Sequence, residues 1–370
     1  MHIVQALVSL NLGGSELVAV ELTEHARALG HRVTVVAVDG PLGDRVRACG
    51  AEHLDWPIGR KRLSTLSYIK TLREWLQEQR PDVLHVHSRL PAWICQLALK
   101  KLPPEARPAY ITTMHGQYSV SRYSAVMAGG DQVIAVSKHI RDYTLYNYPK
   151  VNPDHLITIY GGISRKQFPY DYHPDDAWLD DCFQEFPQLR GQRLICLPGR
   201  MSRYKGHADF IELVARLRTC GEAIHGLIVG DARPGSRYRD ELEGLASRYG
   251  IEEHITFTGA RTDMRDWLAL SSIVYSLCAD PPEAFGRTVP EALHLGVPVI
   301  GWNHGGVGEV LAGLFPDGAV PPGDHEALLD KSIAFLQHNP TVNPAQAFGL
   351  QESMDKTMAV YQAALAANNT

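Results

Sequence analysis

The stretch EAFGRTVPEALHLGVPVIG, residues 283–301, decides how the chain is read. Residues 297–302 (VPVIGW) are a mostly apolar run of strand length. Before them, residues 289–295 carry a short helix with Pro290 in its first turn, where the missing N–H costs nothing. Glu283 falls in the loop that enters this helix and Glu291 in its first turn. Carboxylates accept paired hydrogen bonds from vicinal hydroxyls, so two glutamates at this spacing suit two sugars, a ribose and a hexose. A glutamate in a first turn also complements the helix dipole, which accounts for Glu291 without a ligand. Gly305-Gly306-Val307-Gly308-Glu309 follows the strand and repeats the theme of glycines at a strand end.

Working outward, the same alternation fills the chain. Towards the C-terminus, strands are predicted at 193–197, 223–229, 254–258 and 273–277, with helices at 207–219, 237–248, 263–270, 325–337 and 348–366. Towards the N-terminus, strands are predicted at 3–10, 31–38, 83–86, 111–114 and 132–136, with helices at 16–29 and 63–78. Strand–helix–strand alternation gives parallel sheets covered by helices on both faces, the α/β class. Residues 166–192 break the pattern with Pro169, Pro174 and Pro187 in a polar, aromatic and acidic stretch, the expected linker, with room for a short helix.

Length and charge agree with two domains. The 370 residues hold 36 Lys+Arg and 41 Asp+Glu, a formal charge of −5, and 45% hydrophobic residues, enough for sizeable cores. A slightly acidic chain is not a duplex nucleic-acid specialist, so no nucleic-acid partner is expected. The six cysteines form no C-x-x-C, which argues against a zinc ribbon or disulfide scaffold and for a reducing cytoplasm. No apolar run approaches the ~18–20 residues that cross a bilayer, and residues 3–12 read as a strand rather than a signal peptide. Residues 1–165 hold 19 Lys+Arg and 14 Asp+Glu, a net +5, while residues 166–370 hold 17 and 27, a net −10.

In open parallel sheets ligands bind beyond the carboxyl ends of the strands. Gly13-Gly14-Ser15-Glu16 occupies such a place after the first strand, where glycines admit a phosphate to a helix N-terminus, although a plain tight turn explains it as well. The dinucleotide fingerprint G-x-G-x-x-G is absent, as is the nucleophile elbow G-x-S-x-G. Pro198-Gly199-Arg200 followed by Lys205-Gly206 puts two cations on one strand-end loop, a fork and a point charge suited to a diphosphate. No Asp-x-Asp stands out to hold a metal on that diphosphate, so side chains and helix ends are expected to neutralise it. His85 and His87 alternate on one strand face like a metal pair, but no third ligand is spaced nearby, and no metal is expected.

Together these residues resemble retaining glycosyltransferases of the GT-B fold, in the family 4 group. The resemblance runs from GGSE at 13–16 through His115-Gly116, AVS at 135–137 and GGI at 161–163. It continues through PGR…KG at 198–206, Gly230-Asp231, FTG at 257–259, the 283–301 block and GGVGE at 305–309. It implies two facing Rossmann-like domains, 1–165 on the acceptor side and 166–345 on the donor side, with a terminal helical segment, 346–370, returning to the first. Gly161-Gly162 stands where the family more often has Asn-Gly, and Gly308 where it often has Pro; neither removes a charged site group.

By that resemblance Arg200 and Lys205 hold the donor diphosphate, Glu291 the ribose, and Glu283 the transferred sugar. Gly13, Gly14, Gly199, Phe285 and Gly286 complete the donor-binding set, and His115 lies at the sugar's reacting face. The implied reaction is hexose transfer from a UDP- or GDP-linked sugar to a glycan or lipid-linked glycan, with retention and without a cofactor or metal. Lipopolysaccharide core or other cell-envelope assembly is the implied setting, in the cytoplasm or at the inner face of its membrane. The alternatives are a sugar-nucleotide epimerase, a phosphorylase, for which no cofactor lysine is recognised, and a non-catalytic nucleotide-sugar-binding protein. The basic first half, including Arg60-Lys61-Arg62 and Lys100-Lys101, is either plain solvated charge or a surface for an anionic acceptor or leaflet.

Overall fold

The computed structural model describes residues 1–233 and 235–368. Contacts gather the chain into two compact units: Met1–Gly162 together with the segment that starts at Gln351, and Ile163–Leu350. Each unit is organised around a parallel sheet.

In the first unit the strands are β1 (His2–Ser9), β2 (Arg32–Val38), β3 (Glu52–Leu54), β4 (Val83–Val86), β5 (Ala109–Met114), β6 (Gln132–Ala135) and β7 (Leu156–Thr158). They lie in the order β3-β2-β1-β4-β5-β6-β7, with every neighbouring pair parallel. In the second unit the strands are β8 (Arg193–Pro198), β9 (Ile224–Val229), β10 (Ile255–Gly259), β11 (Ile273–Ser276), β12 (Val299–Trp302) and β13 (Ala319–Val320). Their order is β10-β9-β8-β11-β12-β13, again all parallel. Central strands such as β4, β5 and β9 are buried along their whole length, which is why they read as apolar runs without alternation.

Both sheets run outward from the first strand in one direction and then resume on its other side. The order therefore reverses between β1 and β4 in the first unit and between β8 and β11 in the second. A doubly wound sheet opens a crevice at the carboxyl ends of the strands flanking that reversal.

The segment 166–192, read from composition as a linker, is packed into the second unit. Asp175 caps the helix Asp176–Glu185 by accepting from the Trp178 amide at 2.8 Å. The Trp178 indole donates to Asp263 at 2.7 Å, Tyr172 donates to Asp266 at 2.5 Å, and Trp178 packs edge-on against the buried Trp267. Its aromatic and acidic residues are tertiary contacts, invisible to a one-dimensional reading. Residues 63–78, expected as one helix, begin as a 3-10 turn, Leu63–Ser67, ahead of the α-helix Tyr68–Gln79. There Thr65 and Ser67 bond the Arg60 and Ser64 carbonyls, competing with the helical ladder.

The terminal helix Leu350–Asn368 belongs with the first unit. The buried Tyr361 hydroxyl meets Gln5 and His85, and Ser353 donates to the Tyr160 carbonyl at 2.7 Å.

Candidate active site

In the second unit, Gly199 (φ +127°) turns the chain out of β8 and Arg200 follows, exposed, with its guanidinium 3.4 Å from the Tyr204 hydroxyl. The loop then crosses the carboxyl end of β11, where the Tyr204 carbonyl accepts from the Ala279 amide at 2.9 Å. Gly206 makes the crossing possible: its φ is +78°, and a Cβ there would run into the Leu277 carbonyl. Lys205 is thereby delivered to the loop after β11, and its Nζ forms an ion pair with Glu283. Each of the two side chains is 23% exposed. Burial alone would lower the Lys205 ammonium, but the adjacent Glu283 carboxylate outweighs it and raises the pKa above its ordinary value.

Glu283 is held from below by the glycines at 305–306. The Gly306 amide donates to the Glu283 carbonyl at 2.8 Å, and a Cβ on Gly305 would sit 2.7 Å from that same oxygen. The Gly-Gly after β12 thus opens the helix Gly305–Leu314 and lets the 283–286 loop lie flat on its N-terminus. Gly286 (φ +75°) and the buried Phe285, whose ring centroid lies 6.0 Å from that of Phe348, complete the loop. Glu291 stands in the first turn of the helix Thr288–Leu295 and is buried, accepting from Arg287 Nε at 2.7 Å. Sequence reasoning misses the pair Arg287–Glu291; its i, i+4 spacing on a helix is the signal that reveals it.

In the first unit, Gly13 precedes the helix Gly14–Ala28 at the end of β1. A Cβ on Gly13 would meet the Glu16 carboxylate, whereas Gly14 is exposed, and a Cβ there would have no neighbouring atom within 4 Å. His115 follows β5, partly exposed, with Nε2 3.0 Å from His87 Nδ1. Burial drives the His115 imidazole down to about 4, so it is neutral near pH 7. His85 and His87 spend both ring nitrogens on protein groups: His85 on Tyr361 and Thr113, His87 on His115 and Gln5. Gln5 and Tyr361 also escape sequence reasoning, since nothing local in sequence links them to a histidine pair.

Two cations on one strand-end loop, a carboxylate salt-bridged to one of them, and a glycine-opened helix bring charged groups suited to anions and hydroxyls to one end of the second sheet. Two family descriptions match in sequence order: Glycosyltransferase Family 4 over residues 12–167 and Glycosyl transferases group 1 over residues 181–350. The chain belongs to the glycosyltransferases of the GT-B fold. It is 25% identical over 343 residues to N-acetyl-alpha-D-glucosaminyl L-malate synthase of Bacillus anthracis, covering 88% of this chain and 85% of that one. It is 28% identical over 171 residues to the lipopolysaccharide core biosynthesis mannosyltransferase LpsB of Rhizobium meliloti, covering 45% and 48%. Among solved structures, Anabaena HepE in complex with UDP-glucose superposes with a TM-score of 0.79 at 20% identity over 99% of both chains.

Proposed function

We propose that this chain is a retaining, metal-independent hexosyltransferase that moves a sugar from a UDP- or GDP-linked donor to a glycan or lipid-linked glycan of the cell envelope. The observation that carries the reading is the Lys205–Glu283 pair beside Arg200 at the reversal point of the second sheet. Arg200 and Lys205 take the diphosphate, and Glu283 and Glu291 take hydroxyls of the sugar and the ribose. His115 and Gly14 are assigned to the sugar and the phosphate. HepE with UDP-glucose and the mannosyltransferase LpsB support a nucleotide-sugar donor and an envelope acceptor.

As the C1–O bond breaks, its electron pair passes to the diphosphate oxygen and the ring becomes oxocarbenium-like. Arg200 and Lys205 meet the charge that develops on the diphosphate. The acceptor oxygen then bonds C1 on the face just vacated, and its proton passes to the departing diphosphate, which gives retention without a protein nucleophile. Glu283, engaged by Lys205, serves to orient hydroxyls in this scheme. Thermal-shift screening against UDP-glucose, UDP-N-acetylglucosamine and GDP-mannose tests the reading. A donor at 100 times its Kd stabilises by about 2.7 kcal/mol, and no response to any of the three counts against it.

The finer setting is the inner face of the cytoplasmic membrane. Among the described residues no helix is long and apolar enough to span a bilayer. Arg60, Lys61 and Arg62 are exposed and adjoin Leu63, 88% exposed, and Leu66, 54% exposed. A basic run beside two bared leucines fits an anionic leaflet, at ~1 kcal/mol per cation near the surface. Flotation with anionic liposomes at low salt tests it, and failure to float rejects membrane contact.

A further inference from the structure

Behind His115 the first unit holds one unbroken hydrogen-bonded chain. Thr113 Oγ1 lies 2.6 Å from His85 Nε2, and His85 Nδ1 lies 2.6 Å from the Tyr361 hydroxyl. Tyr361 accepts from Gln5 Nε2 at 3.2 Å, and Gln5 Oε1 lies 2.6 Å from His87 Nε2. His87 Nδ1 then meets His115 Nε2 at 3.0 Å. Every member except His115 is at most 3% exposed.

The members constrain one another. A neutral imidazole offers one donor and one acceptor nitrogen, an amide one donor end and one acceptor end, and a hydroxyl one hydrogen. Burial forbids a mismatch, because two hydrogens or two lone pairs would face each other with no water to relieve them. The run from Gln5 through His87 to His115 therefore has only two polarities and its links reverse together, whereas the Tyr361 and Thr113 hydroxyls beyond it can accept as well as donate. With the Gln5 carbonyl turned towards His87, the His87 Nε2–H donates to it and His87 Nδ1 is left bare. His115 must then donate its Nε2–H to His87. On the other side, Gln5 donates to Tyr361, Tyr361 to His85, and His85 to Thr113.

We propose that Gln5 and His87 are positioning residues that hold His115 as the Nε2–H tautomer, leaving its Nδ1 lone pair to accept a hydrogen bond from a ligand hydroxyl. Only the identity of that ligand rests on the glycosyltransferase reading; the tautomer belongs to the free protein. Tyr361 gives the Nε2 end of Gln5 its acceptor, so a residue of the terminal helix helps to hold the amide that faces His87. Imidazoles buried in this way stay neutral near pH 7, which keeps both tautomers the only choices.

The test is histidine side-chain nitrogen NMR on the full chain without donor, with His115 identified by the signal lost in His115→Gln. The expected spectrum shows a hydrogen-bearing Nε2 and a bare Nδ1 on His115. Gln5→Leu, which removes the acceptor for His87, is expected to mix or invert the tautomers of both His87 and His115. Tyr361→Phe, a milder change, is expected to mix them. A hydrogen on Nδ1 of His115 in the wild type overturns the proposal. So does an unchanged His115 signature in folded Gln5→Leu and Tyr361→Phe. A wild-type spectrum of the expected form in a protein that responds to no nucleotide sugar would sink the transferase reading and leave the relay standing.

Discussion

Lys205 and Glu283, 78 residues apart in sequence, meet as an ion pair where the loop after β8 crosses the end of β11. The cation proposed for the diphosphate and the carboxylate proposed for the sugar are thus already joined in the free protein. A donor that binds there competes with Glu283 for one ammonium and frees carboxylate lone pairs for hydroxyls. Lys205→Ala is expected to lower kcat by about 10²–10³, the usual cost of losing one preorganised charge donor, with a cooperative melt retained. Steady-state transfer and a melting curve on the same sample check both halves.

Glu283→Gln gives a different outcome, legible in its pH profile. With Glu283 ionised, the Lys205 pKa is held above its ordinary value, so the ammonium persists across neutral and mildly alkaline pH and is lost only as pH rises through that raised value. Without the carboxylate the main opposition to burial is gone and the pKa falls. The alkaline limb of kcat in Glu283→Gln is expected at lower pH than in the wild type. An unmoved limb would detach Lys205 from turnover.

Two glycines separate folding from binding. Gly206→Ala forces a side chain into the Leu277 carbonyl at φ +78°, and a loss of more than about 1 kcal/mol of stability is expected. Gly14 has neither a positive φ nor a neighbour to meet, so Gly14→Ala is expected to melt like the wild type and to bind donor more weakly. Urea unfolding and donor titration of the two variants provide the comparison.

Acid should destabilise the protein above the usual carboxylate range. Burial lowers His115, His207 and His225 to about 4 and His85 to about 3, whereas in the unfolded chain each titrates near 6.5. Between those values the unfolded state binds more protons, so stability falls as pH drops from about 6.5 towards 4. Denaturant midpoints at pH 7, 6 and 5 are expected to fall in that order, and a flat series would show that these rings are protonated in the native state.

Chelation tests the proposed metal independence. With Arg200 and Lys205 proposed to meet the diphosphate, transfer is expected to proceed at an unchanged rate after exhaustive treatment with EDTA. A loss of rate restored by Mg²⁺ or Mn²⁺ would overturn metal independence.

Much of this arrangement is legible in one dimension. Strands buried on both faces announce themselves as apolar runs, and the loops at 198–206 and 283–291 declare their chemistry through charged residues beside glycines. Other parts are not. The helices Arg89–Leu99 and Lys138–Asn147 escape the reading, the first although Ala92, Cys95 and Leu99 mark its buried stripe, the second because only Ile140 and Thr144 are buried. The Gly-rich start of the helix Gly305–Leu314 reads as loop, because its glycines answer to the Glu283 and Ala284 carbonyls they approach rather than to helix propensity. His85 and His87 imitate a metal pair, since the hydroxyl and the amide that engage them come from distant residues.

Gln5 and Tyr361 are separated by 356 positions, yet they share one buried hydrogen bond. On a ribosome Gln5 is made before Tyr361, with Ile163–Leu350 synthesised in between. Domains generally fold as units as they emerge, and contacts of long sequence separation form late. The unit Ile163–Leu350 can therefore fold first, while the unit built on β1 waits for the helix Leu350–Asn368. A product cut short before Tyr361 lacks the hydroxyl that links Gln5 to His85.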